Sequence, residues 1–289
     1  MIEALQFEFM RNALFAGLFA SLICGVIGTF VVVNRLVFLT GGIAHAAYGG
    51  IGAALFFGIP YIFGTLGFSL GAALIMTAVT MKTPERSDTF IGVLWAVGMA
   101  IGVILIDLTP GYNVDLMSYL FGSILAVPAG DIWWMTGMGA VTLAVTIYFY
   151  RDMIAISYDV EFARLRGVPV DILYFLFMAL VAVSIVFIIR VVGLILVIAL
   201  LSIPPYIAEK YAKSLGAMMV IAVILSAVFN IAGLWVAYML DLTSGASIIL
   251  VAAAGFFISL AIDLLISRRR KRAAARSRTE NSPACGCGL

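Results

Sequence analysis

Residues 151–171 read RDMIAISYDVEFARLRGVPVD and form the longest polar interruption in an otherwise apolar chain. Glu161 and Arg164 are three residues apart, a spacing at which helical side chains can pair. Gly167 and Pro169 predict the end of this short helix. The segment has two interpretations: a docking element for another protein, or an ordinary solvated loop between apolar runs.

The composition around this stretch places the chain in lipid. Hydrophobic residues make up 64% of the 289 and charged residues 11%, a balance that excludes a soluble domain of this size. The apolar runs are long and do not alternate, which predicts helices rather than barrel strands. The first run is too long for a cleavable signal. A net charge of +2 indicates no nucleic-acid partner, and the three cysteines form no disulfide framework.

The fold class predicted is an all-α integral membrane protein with about nine transmembrane helices. A span needs about 20 apolar residues. The runs that meet this length lie near 12–33, 36–57, 59–80, 89–107, 131–150, 171–189, 191–208, 214–238 and 246–266. Residues 108–130 contain an apolar core, SYLFGSILAV, that is too short to cross, so we expect a re-entrant or interfacial helix there.

The distribution of Lys and Arg sets the orientation. With the basic C-terminal stretch inside, all of the 17 basic residues except Arg11 and Arg190 fall on the cytoplasmic side. The N-terminus is then outside, the C-terminus is cytoplasmic, and 151–171 faces the cytoplasm. We divide the chain into a transmembrane domain, 1–267, and a basic disordered tail, 268–289, beside the lipid.

Acidic residues show the opposite bias and gather at the outer ends of the spans. A negative mouth would concentrate cations; the alternative is that the outer side simply tolerates acidic residues. These residues are Glu3, Glu8, Asp107, Asp115, Asp131 and Asp241.

His45 is the only histidine and lies near the middle of the second predicted span. Gly41 and Gly49, one turn away on either side, leave a helix face that another helix or a substrate can approach closely. An ionisable group at this depth is typical of a functional site, and imidazole binds zinc, manganese and iron. The alternative is a histidine bonded to a neighbouring helix.

Two further features involve helix ends and breaks. Pro204 and Pro205 lie within the seventh predicted span and are expected to break its helix, as a kink, a hinge or a cavity wall. Asp241 is expected to cap the last helix, with Ser244 as the alternative cap, or to act as a ligand.

Enzymatic chemistry finds no support in the sequence. There is no phosphate-binding loop with a following Lys, so ATP is not bound by that route. No Ser–His–Asp or paired-carboxylate arrangement stands out. Cys285 and Cys287 form only a weak candidate site for a soft metal.

Taken in order along the chain, several motifs resemble those of the permease subunits of zinc/manganese ABC importers, and the resemblance covers nearly the whole length. The motifs are residues 42–46 (GIAHA), 87–92 (SDTFIG), 119–122 (YLFG), 158–163 (YDVEFA) with Gly167, 192–204, and 241–246 (DLTSGA). Each motif alone is weak, whereas their order and spacing together are specific.

The resemblance implies an ABC importer permease of the cell (inner) membrane that works as a homodimer, with the pore at the dimer interface. A separate ATP-binding subunit would dock on a coupling helix at about 157–169. An extracytoplasmic metal-binding protein would deliver a divalent zinc, manganese or iron ion, which is transported rather than held as a permanent cofactor.

The resemblance also implies roles for particular residues. The docking residues are Tyr158, Asp159, Glu161, Phe162, Ala163 and Gly167. The candidates for the metal path, which His45 is expected to face, are His45, Asp241, Asp115, Met117 and Ser123. The hinge residues are Pro204 and Pro205.

Three positions depart from the family's usual pattern. Gly41 stands where an Asp usually precedes the histidine by four residues, Ser123 replaces an Asn, and Thr243 replaces a Pro. Alternative functions are a permease for a chelated metal, such as a siderophore or corrinoid, a channel without an ATPase, or a membrane enzyme.

Overall fold

A computed structural model describes residues 6–110, 122, 124, 127 and 129–280. Its described residues form helices and no strands. The helices are α1 (Glu8–Val33), α2 (Val37–Phe57), α3 (Tyr61–Lys82), α4 (Ser87–Asp107), α5 (Ala129–Tyr148), α6 (Tyr150–Tyr158), α7 (Val160–Leu165), α8 (Val170–Val192), α9 (Leu194–Tyr211), α10 (Leu215–Leu240) and α11 (Ser244–Glu280), with a short 3₁₀ turn at Pro84–Arg86.

The expected number of membrane spans is confirmed. Eight helices in the described part of the chain are long and apolar enough to cross a membrane. The pair Ile132–Tyr148 and Tyr150–Tyr158, bent by 67°, makes a ninth when it is counted as one span. The all-α class predicted from composition is therefore correct.

Helix α2 occupies the centre of the bundle. Inside the protein, 78% of its spanning window is buried, compared with 22% for α4 and 17% for α11. It packs against α3, α4, α8 and α9, most extensively against α4. Its glycines permit this: a β-carbon at Gly50 would lie 2.5 Å from the carbonyl oxygen of Gly64. Small residues of this kind allow close helix packing in lipid, where no hydrophobic force drives association.

The two prolines do not break α9. This expectation was wrong, because α9 runs without interruption from Leu194 to Tyr211 and both Pro204 and Pro205 are buried inside it. Pro205 has no N–H to donate to the carbonyl four residues earlier. The oxygen of Leu201 therefore lacks its helical hydrogen bond. Gly28 of α1 approaches this oxygen so closely that a β-carbon there would lie 2.6 Å from it. Close packing by α1 thus accommodates the defect.

The last helix extends further than the sequence predicted. The backbone of α11 continues to Glu280, so residues 268–280 differ from the disordered tail that we expected. Ala, Arg and Lys, which dominate this stretch, are strong helix formers. Residues 281–289, with Cys285 and Cys287, lie outside the described part.

Most of the predicted re-entrant or interfacial helix also lies outside the described residues. The exceptions within its core are Gly122, Ile124 and Val127. Ile124 and Val127 are buried, and Gly122 has a φ of +69°. A β-carbon at Gly122 would lie 2.5 Å from the amide nitrogen of Gly193. Glycine is required here both by the conformation and by the close approach of the α8–α9 junction.

Candidate functional site

His45 lies on α2 and faces α4. Its imidazole ring stacks on the indole of Trp95, with centroids 4.0 Å apart and planes 15° from parallel. Its Nδ1 atom lies 3.2 Å from the sulfur of Met99. The histidine is half-buried. Both contacts of the imidazole therefore come from the neighbouring helix, α4.

The two glycines that flank His45 differ in their surroundings. A β-carbon at Gly49 would lie 2.7 Å from the ring of Phe68 and 2.8 Å from the oxygen of Gly98, so Gly49 serves close helix packing. A β-carbon at Gly41 would meet nothing within 4 Å. Close packing within this chain thus does not require a glycine at the position where the family's Asp usually stands.

The other candidates for the metal path are not brought to His45. Asp115, Met117 and Ser123 lie outside the described residues. Asp241 ends α10 in the left-handed conformation, with φ 52° and ψ 45°, and is exposed. Its expected role as the cap of the last helix is wrong, because it terminates the preceding helix and α11 begins only at Ser244. Among the described residues, no three His, Cys, Asp or Glu side chains cluster to hold a metal.

The polar stretch at 157–169 forms the predicted short helix. Asp159 is the N-cap of α7, and its side chain accepts a hydrogen bond from the amide of Phe162 at 3.0 Å. The helix ends at Leu165, and Gly167 follows with a φ of +81°. The termination predicted at Gly167 is therefore confirmed, because glycine adopts this conformation without steric cost. We call residues 157–169 the docking segment, after the role that the sequence resemblance leads us to expect for them.

Large apolar and aromatic side chains on the docking segment are exposed. Tyr158 is 78% exposed, Phe162 50% and Leu165 87%, and Glu161 is exposed beside them. Ala163 is the exception, at 0% exposure. The expectation that the Ala163 side chain contacts a partner is wrong, because this side chain packs on the opposite face of the helix.

The buried face of α7 fixes the docking segment to the spans. Ala163 belongs to an apolar cluster with Ile156, Val170 and Leu173. Asn34, at the end of α1, donates a hydrogen bond to the hydroxyl of Ser157 at 3.0 Å. The docking segment is thus joined to three neighbouring helices, α1, α6 and α8.

The charge pairing within the docking segment differs from the sequence prediction. Arg164 bonds to Asp171 at 2.8 Å rather than to Glu161. Arg166 lies over the ring of Phe162, 5.3 Å from its centroid. The i, i+3 spacing permitted the other pair, but the turn at Gly167 brings Asp171 back beside α7. Glu161 is therefore directed to the surface.

A family model described as the ABC 3 transport family matches residues 6–263. The chain belongs to this family. Membership confirms the resemblance stated from the motifs and makes the chain a multi-pass permease of an ABC transporter, a transport subunit.

Relatives of this ABC 3 permease match it over most of their length. An uncharacterized membrane protein of Synechocystis sp., slr2045, is 51% identical over 261 residues, covering 90% of this chain and 93% of the relative. The manganese import system permease protein ScaB of Streptococcus parasanguinis is 34% identical, covering 89% and 91%. The solved structure of PsaBC from Streptococcus pneumoniae in complex with Fab superposes with a TM-score of 0.81 at 32% identity, covering 89% and 93%.

Sequence reasoning missed the contacts that hold both parts of the site. Trp95 and Met99 of the ABC 3 permease were not predicted as part of the site, although they stand four residues apart on α4 and hence on one helix face. Asn34 and Ser157 were also missed, because the residues lie 123 positions apart. The sequence signal for the first contact was a Trp and a Met at this spacing inside an apolar span. The sequence contains no signal for the Asn34–Ser157 bond.

Proposed function

We propose that this ABC 3 permease moves a divalent transition metal ion, zinc, manganese or iron, across the membrane in an ATP-driven importer. The observation that carries the proposal is the docking segment, a capped six-residue helix with exposed Phe162 and Leu165 seated on the ends of membrane helices. An apolar, aromatic surface of this kind is suited to a protein partner. The names of the relatives, manganese import permeases, support a metal cargo.

The assembly we propose has two copies of the permease with the pore between them. A separate ATP-binding subunit docks on residues 157–169, and an extracytoplasmic metal-binding protein delivers the ion to the outer face. The metal is cargo, and no cofactor is permanently bound. The bias of basic residues supports a C-terminus in the cytoplasm and an N-terminus outside.

Five docking residues remain as partner contacts or as determinants of the helix ends. Tyr158, Glu161 and Phe162 are exposed and available to contact the ATPase. Asp159 and Gly167 set the two ends of α7. Ala163 contributes indirectly, because its side chain packs α7 against the neighbouring helices of the same chain.

Within the transport cycle, Pro204 and Pro205 serve as a hinge. Backbone carbonyls of α9 that lack a helical donor offer less resistance to bending than those of an intact helix. The division into a permease domain, 1–267, and a basic cytoplasmic extension, 268–289, is part of this proposal.

One alternative cargo draws support from a specific observation. The open space beside Gly41, in place of the usual carboxylate, also suits a chelated metal such as a siderophore or corrinoid, which brings its own ligands. The channel and enzyme alternatives are at odds with membership of the ABC 3 transport family.

Uptake by the reconstituted complex tests the proposal. Proteoliposomes that contain the permease and its ATP-binding subunit are loaded with ATP and offered zinc, manganese and iron in competition. We expect ATP-dependent uptake of a free ion, and we expect Glu161→Lys to lower uptake at least tenfold while the permease remains folded. Glu85→Lys, the same charge reversal at another exposed cytoplasmic position, should retain uptake.

Two results would contradict the proposal. Normal uptake and normal assembly in Glu161→Lys would remove the docking role from this segment. Uptake of a metal chelate but of no free ion would replace the proposed cargo with the alternative.

A further inference from the structure

We infer that Asn34 and Ser157 are positioning residues for transport, because their hydrogen bond carries movement of the docking segment to α2, the helix that bears His45. The inference rests on the proposed function, since it specifies how a partner on the docking segment acts on the spans. Nδ2 of Asn34 donates to the hydroxyl oxygen of Ser157 at 3.0 Å. The bond joins the end of α1 to the last turn of α6, next to the exposed face of α7.

The two side chains form a continuous polar bridge between two helix backbones. Nδ2 of Asn34 also donates to the carbonyl oxygen of Phe30 at 2.8 Å, and the hydroxyl of Ser157 donates to the carbonyl oxygen of Met153 at 2.8 Å. Each side chain is therefore bonded to its own helix as well as to the other side chain. Hydrogen bonds in such a chain strengthen one another, so the Asn34–Ser157 bridge resists a shift of α6 relative to the end of α1.

The bridge lies in largely apolar surroundings at the base of the docking segment. Phe30, Met153 and Phe177 line the same cavity as Asn34 and Ser157, and all three are buried. The two bridging residues are themselves half-buried. A hydrogen bond that is shielded from water is strong, and breaking it leaves polar groups without solvation. We therefore expect the bond to persist while the docking segment moves.

The turn between α1 and α2 is short and held in one shape. The amide of Arg35 donates to the oxygen of Val32 at 3.0 Å, and the amide of Leu36 donates to the oxygen of Val31 at 2.8 Å. This pair of bonds is a Schellman motif. Arg35 has a φ of 59°, a conformation that favours glycine, so the contacts around the turn must hold it there. A shift of Asn34 is therefore passed to Leu36 and to α2, which begins at the next residue.

Helix α2 connects this turn to the site on the membrane side. His45 lies eight residues beyond Val37, which is about 12 Å along the helix at 1.5 Å per residue. A shift of α2 along or about its axis would change its contact with α4, where Trp95 and Met99 meet the imidazole. The bridge thus connects the exposed face of the docking segment with the surroundings of His45.

A second connection runs through α8. The chain passes from the docking segment directly into α8, and α8 packs against α2 and α3. If movement reached the spans through α8 alone, the bridge would only anchor the docking segment. The two routes predict different results when the bond is lost, because an anchor affects stability whereas a route affects the number of ions moved for each ATP.

The number of ions moved for each ATP hydrolysed, measured in proteoliposomes with the ATP-binding subunit, tests the inference. Asn34→Ala and Ser157→Ala should each retain assembly and ATP hydrolysis but move about fivefold fewer ions per ATP, the ratio expected from the loss of one hydrogen bond. The double variant should lose no more than either single variant, because both substitutions break the same bond. Ser247→Ala removes a hydroxyl that donates to the carbonyl of Thr243, four residues earlier; it is the matched control and should couple as wild type.

Hydrogen exchange of the full-length permease, without the ATP-binding subunit, gives a readout that does not depend on transport. Ser157→Ala should raise amide exchange in the α1–α2 turn and in the first turn of α2. This result is specific to the bridge, because alanine favours the helix α6 itself more than serine does. Ser157→Thr keeps the hydroxyl and should restore both the protection of these amides and the number of ions moved per ATP.

The outcomes separate this inference from the proposed function. An unchanged number of ions per ATP in both single variants would overturn the inference and assign the coupling to α8. Additive losses in the double variant would overturn it as well, since the two residues would then act separately. So would a rise in exchange confined to the docking segment in Ser157→Ala. Absence of ATP-driven uptake by the wild-type complex would instead contradict the proposed function, and the exchange measurement would still decide whether the bridge reaches α2.

Discussion

Two regions of the molecule position their functional residues in opposite ways: the α2–α4 contact and the docking segment. At the first, glycines bring backbones together: a β-carbon at Gly98 would lie 2.9 Å from Cα of Ala46, and one at Gly102 would lie 2.5 Å from the oxygen of Tyr48. At the second, polar bonds fix the chain, from the Asp159 cap to the Asn34–Ser157 bond. At the α2–α4 contact, substitutions that add side-chain atoms should therefore be the destabilising ones. In the docking segment, substitutions that remove polar atoms should be.

The largest effect is expected from filling a glycine between α2 and α4. A side chain at Gly52 would overlap the carbonyl oxygen of Gly102, which is backbone and cannot move aside. Gly52→Ala should destabilise the permease by about 3 kcal/mol, the upper end for overpacking. Thermal unfolding in detergent, followed by uptake in proteoliposomes, measures both the loss of stability and the loss of function.

Gly71→Ala is the matched control for that substitution. A β-carbon at Gly71 of α3 would meet nothing within 4 Å. Its melting temperature should equal or exceed that of the wild type, because alanine favours the helix more than glycine does. Equal destabilisation by both variants would refute the assignment of Gly52 to close packing.

A smaller effect is expected from removing the cap of α7. Asp159→Ala deletes the acceptor for the amide of Phe162 and should cost about 1 kcal/mol of local helix stability. In a helix of six residues that loss should lower ATP-driven uptake a few-fold while the spans stay folded. Hydrogen exchange at the amides of α7, compared with those of α8, measures the local change. Asp159→Asn, which keeps a good capping oxygen, should restore protection, and its failure to do so would point to the charge instead.

The smallest effect is expected from the Arg164–Asp171 pair. Its side chains are 54% and 58% exposed, and an ion pair this open to solvent contributes about 0–1 kcal/mol. Arg164→Gln should therefore leave the melting temperature nearly unchanged, with any difference vanishing at 1 M salt as screening increases. A loss comparable to that of Asp159→Ala would mean that the pair orders the turn at Gly167.

The sequence predicted most of the fold because the bilayer restricts the possibilities. Apolar runs of span length can satisfy their backbone only as helices, and nine such runs matched the observed helices closely. The end of the short helix in the docking segment followed from Gly167 and Pro169, which lie directly after it. Local signals of this kind lie within a few residues of the structure that they specify, so they can be read without tertiary information.

The rest depended on contacts between distant parts of the chain. The imidazole of His45 was identified from the sequence, but its partners Trp95 and Met99 lie on another helix, so their spacing on α4 could not show that they contact it. Pro204 and Pro205 were expected to break α9, and only the approach of Gly28 shows how the helix tolerates them. Arg164 had two acidic residues within reach along the sequence, and the turn geometry decided between them.

The bend at Phe149 determines how a displacement of the docking segment reaches the membrane. The span α5 and the nine-residue α6 meet there at 67°, and α6 extends about 13 Å from the bend to α7 at 1.5 Å per residue. A sideways shift of about 2 Å at α7 would therefore correspond to a rotation of roughly 10° about Phe149, which α5 shares if α6 and the bend both stay rigid. The angle at which α5 crosses the bilayer, rather than its depth, is then the quantity that movement of a partner on α7 would change.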